Sequence, residues 1–461
     1  MDTCAEQGSQ ENTQSVNGQI LKLAWPAIAT NITTPLLSLA DVAITGHFEN
    51  GSLIGAIAVG GTVFNIVYWI FAFLRMGTSG LTAQAFGAND KAEQRYIFCR
   101  GTLIALSGAA LVLILVPLGG ENLIALVDGG NAVQTDAWRY FRVAVIGAPG
   151  VLVSYVVSGW LLGMQRPKPI MWIALITNLL NIVLSLLFVY CLGLGIVGVA
   201  LGTAASQIIG AAIGMFIAVK VLRSAVSFDK RKIIRKELFN PVRLKSMFSI
   251  NRDIFLRTVC LAAVTLWFTH SGATLGKEFL TANALLIQLF LVFSYFMDGF
   301  AFGGEALAGR YYGARDFNLL RKTVRALFVW GVYTSLLFTV LYFFVGDVFL
   351  QLLTDDATAL AKAKEFGFWA VTIPLTGFAA FTWDGIMIGL TRSRYLLMSM
   401  SFAMAVFFAV YFLGIRTTEN VETRNHILWL AFVLYLVVRG AVSSVLYKRF
   451  IRKLTSGKLQ R

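Results

Sequence analysis

Charge is what this 461-residue chain has least of. Asp, Glu, Lys and Arg together make up 14% of it, against about 25% in a typical soluble domain. So few charged groups cannot clothe a water-facing surface, and the shortage excludes an ordinary cytosolic domain. Disorder is excluded too, since disordered chains are poor in apolar residues. Cysteine is scarce: Cys4, Cys99, Cys191 and Cys260 stand far apart with no CxxC pair. That spacing excludes a disulfide scaffold and a zinc ribbon, and all four read as unpaired thiols. Three histidines, His47, His270 and His426, are too few and too dispersed for a metal centre. There is no HExxH, no GxxxxGK[ST] phosphate loop and no Ser/His/Asp grouping. A zinc hydrolase, a nucleotide-driven pump built from this chain alone and a triad enzyme are thereby excluded. No catalytic residue, metal or cofactor is expected. Residues 1–18 are polar, with no basic stretch leading into an apolar run, so no secretory signal is expected there.

What is abundant is apolar surface, at 57% of residues. A helix needs about 20 mainly apolar residues to cross a ~30 Å hydrocarbon core. Twelve segments meet that need: 20–45, 54–80, 96–118, 137–163, 169–192, 195–222, 250–275, 280–309, 323–347, 363–391, 395–415 and 425–447. No barrel-like alternation is visible, so the fold class is an all-α polytopic membrane protein. The net charge of +15 would point to nucleic acid in a soluble protein. Here it follows the loops instead, so no nucleic-acid partner is expected. Lys91, Arg95, Arg166, Lys168, Arg310, Arg315, Arg321, Lys322, Arg392 and Arg394 lie after alternate spans, and the tail adds Lys448, Arg449, Arg452, Lys453 and Lys458. The opposite loops 46–53, 119–137 and 191–196 hold no Lys or Arg, and the later ones hold Lys277, Lys362, Lys364, Arg416 and Arg424. By the positive-inside rule both termini are cytoplasmic.

The polar stretch 223–249 divides the chain. The expected organisation is a polar tail 1–18, a lobe 19–222, a basic cytoplasmic linker 223–249, a second lobe 250–447 and a basic tail 448–461. The two lobes repeat at an offset of 226 residues. Phe86-Gly87-Ala88-Asn89-Asp90 matches Tyr312-Gly313-Ala314-Arg315-Asp316, and Gly159 to Arg166 matches Gly385 to Arg392. With six spans each, the copies have the same orientation and are expected to be related by a pseudo-two-fold axis along the membrane normal, as in transporters.

Ionisable residues inside a span are costly and are candidates for function. Asp41 lies in the first span, on a stripe with Thr30, Thr34, Ser38 and Thr45. It reads either as a functional carboxylate or as an Asp solvated near the outer helix end. Pro26 and Pro35 make that helix bendable. Asn178, Asn181 and Ser185 share a face of the fifth span, and Thr203 is a buried hydroxyl of the sixth. The two asparagines either join helix to helix or, with Asp41, form an oxygen-rich cation site. In the second lobe Trp267 stands where the first has Asp41, so the acidic site is not duplicated. Asp298, Asp384 and Arg257 lie in spans there, and a buried Arg needs a partner, which Asp298 or Asp384 could supply. Glu305, close to the cytoplasmic end, is expected to be solvated.

The 6+6 repeat, LAWPAIATNITTPLLSLADVAITG, GWLLGMQRPKPIMWIALITNLLNIVL, GIVGVALGTAASQ and FTWDGIMIGLTRSR resemble the multidrug and toxic compound extrusion (MATE) family, in its DinF-like branch, over nearly the whole chain. The resemblance implies a cation-coupled antiporter that exports organic, often cationic or lipophilic, compounds by rocking two six-helix lobes. It implies coupling roles for Asp41, Asn181 and Thr203, a bend at Pro26, and a lesser part for Tyr140. Where many relatives have a second Asp, this chain has Ser185. A lone buried carboxylate favours its protonated form, so a proton is expected as the coupling ion ahead of Na⁺.

The partners this implies are a small organic cation and the lipid bilayer, with the protein a monomer in a plasma membrane, the bacterial inner membrane in particular. A lipid-linked oligosaccharide flippase of related fold is the competing reading. Such proteins line their cavity with arginines, and here Arg257 is the main arginine expected inside a span.

Overall fold

The computed structural model describes residues 15–46, 52–125, 130–225 and 235–456, without the side chains of 34–46 and a few others. The helices are α1 (Val16–Gly46), α2 (Ser52–Ile70), α3 (Phe73–Gly87), α4 (Lys91–Ala125), α5 (Gly130–Ala144), α6 (Ala148–Gly163), α7 (Pro167–Leu186) and α8 (Gly195–Ala225). A short α9 (Arg235–Leu238) precedes α10 (Pro241–Leu275), α11 (Lys277–Gly313), α12 (Phe317–Leu353), α13 (Ala357–Gly389), α14 (Ser393–Gly414) and α15 (Val421–Thr455). No strand occurs among the described residues. Eleven helical spans among them are long and apolar enough to cross a membrane, and α1 runs unbroken besides.

Two spans are bipartite. The second breaks between α2 and α3. The fourth passes from α5 to α6 through a 3₁₀ turn, Val145–Gly147. Pro149 accounts for that turn, because it has no N–H to offer the Val145 carbonyl four residues back. The Ala148 N–H bonds that carbonyl instead. Prolines also open α7 and α10, where the missing donor is of no consequence. The helix α10 begins inside the 223–249 stretch, and α15 runs into the basic tail.

The outward faces are as apolar as the core. On α12, Phe343 is 72% exposed and Phe344 74%, while Phe338 and Tyr342 are buried. A helix apolar all round belongs in hydrocarbon. The chain forms two compact units. The first holds α1 from Trp25, α2 to α9, α10 up to Asn251, and Gly309–Arg315. The second holds the start of α1 up to Ala24, Arg252–Ala308 and Asp316 onward.

The repeat is visible inside each unit. In the first, Gly159 on α6 lies directly against the Arg75 backbone of α3. In the second, Gly385 on α13 lies the same way against Ala301 of α11. Both residues of one pair are 226 positions from those of the other. Each glycine lets two helix backbones touch, and any Cβ there would strike main chain. Left-handed residues cap the helices at the same offset: Asn89 (φ 53°) with Arg315 (φ 58°), and Gln165 (φ 61°) with Thr391 (φ 51°). In three of these caps the next residue donates back five positions, as Asp90 N–H does to the Ala85 carbonyl at 2.9 Å.

Gly159→Val and Gly385→Val are each expected to destabilise the protein by about 2 kcal/mol or more. Gly61→Ala and Gly367→Ala, which meet nothing within 4 Å, are expected to be neutral. Thermal unfolding in detergent, read by tryptophan fluorescence, checks both pairs.

The N-cap of α13 is Asp356, which accepts from the Thr358 hydroxyl at 2.6 Å, the Thr358 N–H at 2.9 Å and the Ala359 N–H at 3.2 Å. These donors, the hydroxyl first, hold its carboxyl below the ordinary value of 3.8. A lowered folded value means the cap contributes fully above pH ~4 and is lost as pH falls through the lower folded value. Asp356→Asn, which caps without titrating, is expected to flatten that part of the acid limb in a pH series of melting temperatures.

Candidate functional site

In the first unit, α7 turns one polar line inward. Thr177, Asn181 and Ser185 are its buried polar residues, at intervals of four. The partner is α8, whose Gly202 and Gly210 leave room for Ser185 and Thr177. The Asn181 Nδ2 donates to Thr203 Oγ1 at 3.1 Å, and that hydroxyl donates to the Val199 carbonyl at 3.1 Å. Ser206 Oγ donates to the Thr203 carbonyl at 2.9 Å. Thr177 is occupied with its own helix, donating to the Ile173 carbonyl at 2.8 Å. Two polar atoms on this line are buried with no partner: Asn181 Oδ1 and Ser185 Oγ. Orphaned acceptors of this kind are rare in a closed interior.

The other residues singled out in this half fall as follows. Asn178 is only partly buried and stands off the Thr177–Asn181–Ser185 line. Tyr140 is 4% exposed and lies beside Gly60 of α2. Pro26 lies within α1, and the Thr30 hydroxyl donates to its carbonyl at 2.8 Å. Asp41 stands on α1, but its side chain lies outside the described residues, as do those of Thr34, Ser38 and Thr45. Cys4 and His47 lie outside them altogether.

The second unit gathers charge instead. Arg257 of α10 and Arg439 of α15 both donate an Nη2 to the same oxygen of Asp384 on α13. Of the two acids that could neutralise Arg257, Asp384 does so. The three residues are 8%, 3% and 8% exposed. Arg439 also lies over the Phe381 ring, 5.6 Å from its centroid. Asp298 on α11 is partly buried and is the further acid that acts electrostatically on Arg439. Trp267 sits in an aromatic cluster with His270, Phe408, Tyr411 and Phe412.

Two expectations are corrected here. Arg257 is not the main arginine inside a span, because Arg439 is more deeply buried and shares its carboxylate. The signal was present in LYLVVRGAVSS, one Arg in an apolar run. Glu305 is not solvated but 1% exposed, since α11 stays packed to its end. Among the described residues, no group of three or more His, Cys, Asp or Glu is placed to hold a metal ion.

Eleven apolar spans among the described residues, with α1 beside them, a polar line in one unit and a charge cluster in the other, define a polytopic transporter architecture. The MatE family model matches residues 26–187 and 254–446, and the chain belongs to that family of transporters. DNA damage-inducible protein F of Escherichia coli (strain K12) is 33% identical over 431 residues, covering 93% of this chain and 92% of that protein. The probable multidrug resistance protein NorM of Thermotoga maritima is 21% identical over 362 residues, covering 77% and 76%. The crystal structure of MATE in the bent conformation matches with a TM-score of 0.85 at 18% identity, over 96% of this chain and 97% of that one. A MOP superfamily transporter from Pyrococcus furiosus Vc1 matches with a TM-score of 0.83 at 18% identity, over 96% and 97%.

Thr203→Val removes the acceptor of the Asn181 amide and is expected to lower stability by about 1–3 kcal/mol. Ser185→Ala removes a hydroxyl that has no partner and is expected to leave stability unchanged or raised. Paired melting curves of the two variants check the contrast.

Proposed function

We propose that this protein is an antiporter that exports lipophilic organic compounds, with Asp41 as the coupling carboxylate and the proton as the coupling ion. The observation that carries the proposal is the pair of unsatisfied atoms on α7. Asn181 Oδ1 and Ser185 Oγ are buried without partners, beside Thr203, in the half that also carries Asp41. A cation, hydronium or water that enters this line finds acceptors ready. Ser185 offers a hydroxyl where a second carboxylate would have favoured Na⁺. With one carboxylate in the set, a proton neutralises the buried charge, whereas Na⁺ needs more oxygens and more negative charge to offset its dehydration.

Asp41 then alternates between ionised and protonated forms. Pro26 supplies the flexible point of α1 through which the change reshapes the first lobe. Membership in a multidrug exporting family supports the organic substrate, and the expectation that it is a cation rests on the resemblance alone. Both termini lie in the cytoplasm, in keeping with the distribution of Lys and Arg, and a bacterial inner membrane suits the similarity to the Escherichia coli relative. The protein works as a monomer.

In proteoliposomes, an imposed proton gradient is expected to drive concentrative export of a fluorescent lipophilic substrate, and a sodium gradient is not. Asp41→Asn is expected to reduce gradient-driven flux at least tenfold. Export by Asp41→Asn at the wild-type rate overturns the coupling role, and flux driven by sodium alone overturns the choice of ion.

A further inference from the structure

The Arg257–Asp384–Arg439 cluster is not explained by the needs of the fold. The positions 226 residues earlier are Asn31, Ser158 and Ile213. The first half therefore builds the same six-span design with no ionisable group at any of them. Nor is the cluster balanced within itself. Two guanidinium charges face one carboxylate and converge on a single oxygen of it. Arg257 Nε and Arg439 Nε are both buried with no acceptor. A guanidinium has five N–H donors in a rigid fork and no acceptor of its own. Leaving such donors unmet in a membrane interior is costly. Asp298, a further acid that acts electrostatically on Arg439, can offset charge, but Arg439 Nε still has no acceptor.

Buried guanidinium groups with donors to spare can hold an oxyanion through charge-assisted, often bidentate, hydrogen bonds. We propose that the Arg257–Arg439 pair is a binding site for an anionic headgroup, a carboxylate, sulfonate or phosphate, carried on a lipophilic body. Resting on the export reading above, this deepens it by naming the substrate class: amphiphiles with an acidic group, and zwitterions, in preference to simple organic cations. Asp384 is the positioning residue. It holds the two guanidinium groups together and occupies part of their donor set, and an arriving anion takes the Nε–H groups it leaves open. The Phe381 ring under Arg439 adds an aromatic face beside the charge, which suits an aryl or alkyl body attached to the anion.

The test is equilibrium binding to the full-length purified protein in an uncharged detergent. The probes are a fluorescent naphthalenesulfonate and a naphthyl quaternary ammonium ion of the same size. Wild type is expected to bind the sulfonate in preference to the ammonium ion. Arg439→Gln is expected to lower the ratio of sulfonate to ammonium affinity at least tenfold, and Arg439→Lys to restore part of it. Asp384→Asn frees donors and is expected to tighten sulfonate binding severalfold. A purely structural clamp would show no such gain. Should Arg439→Gln fail to fold, the Lys and Asn variants decide the matter.

Repeating the measurement in phosphatidylcholine nanodiscs with and without phosphatidylglycerol separates the two sources of such an anion. Competition by phosphatidylglycerol assigns the site to a lipid headgroup, and no competition assigns it to a soluble amphiphile. The proposal is overturned if wild type shows no preference for the sulfonate, if Arg439→Gln leaves the ratio unchanged, or if folded Asp384→Asn binds the sulfonate more weakly. Asp41→Asn measured alongside tells the two readings apart. Its effect on gradient-driven flux reports on the coupling scheme, and the Arg439 binding ratio reports on the anion site.

Discussion

Hydrocarbon offers no hydrogen bonds, and nearly everything in this structure follows from that. Each backbone N–H and C=O inside a span must find its partner within the chain, so the spans are helices. Lipid tails compete on equal terms for apolar side chains, so helices cannot be held together by greasiness alone. They are held by close backbone approach at glycine, as where Gly159 meets Arg75 and Gly385 meets Ala301, and by a few buried polar contacts. Where a proline removes a donor, the helix accommodates it locally, as in the 3₁₀ turn before Pro149.

The same constraint makes buried polar groups informative. In the first unit the polar line of α7 is short, neutral among the described side chains, and incomplete: Asn181 is tied to Thr203, yet its carbonyl oxygen and the Ser185 hydroxyl have no partners. In the second unit the polar set is charged and crowded, with two arginines on one carboxylate oxygen. The repeat supplies a scaffold twice, and the two copies have been given different chemistry. Where a stripe of small oxygen-bearing groups suits a small cation, an excess of guanidinium suits an oxyanion. On the proposals made above, the first half would handle the coupling ion and the second the cargo, without the two competing for one site.

Much of the fold was legible in the sequence because a membrane span is a local property. About 20 mainly apolar residues declare it, and a 226-residue offset in glycines and loop motifs declares the repeat. Helix ends were less legible. The segment expected as a linker carries the start of α10 from Pro241, because a helix turn rich in polar residues lacks the apolar signature of a span. The candidate site divided in the same way. Asn181, Ser185 and Thr203 could be picked out as polar residues in apolar runs. Helical spacing alone gave Asn178 equal standing with them, and only packing against α8 shows that the buried line runs through Thr177 instead.

Residue order alone was enough for the class of the protein, its many spans, the repeat and the presence of ionisable groups within spans. These depend on composition and on spacing along one chain. The tertiary structure alone decided which of those groups meet. Arg257 could have paired with Asp298 or Asp384, and Arg439 stands 182 positions from Arg257 in sequence. Their convergence on one oxygen of Asp384 depends on how α10, α13 and α15 pack together. A pairing across that distance is set by helix packing, which no local pattern encodes.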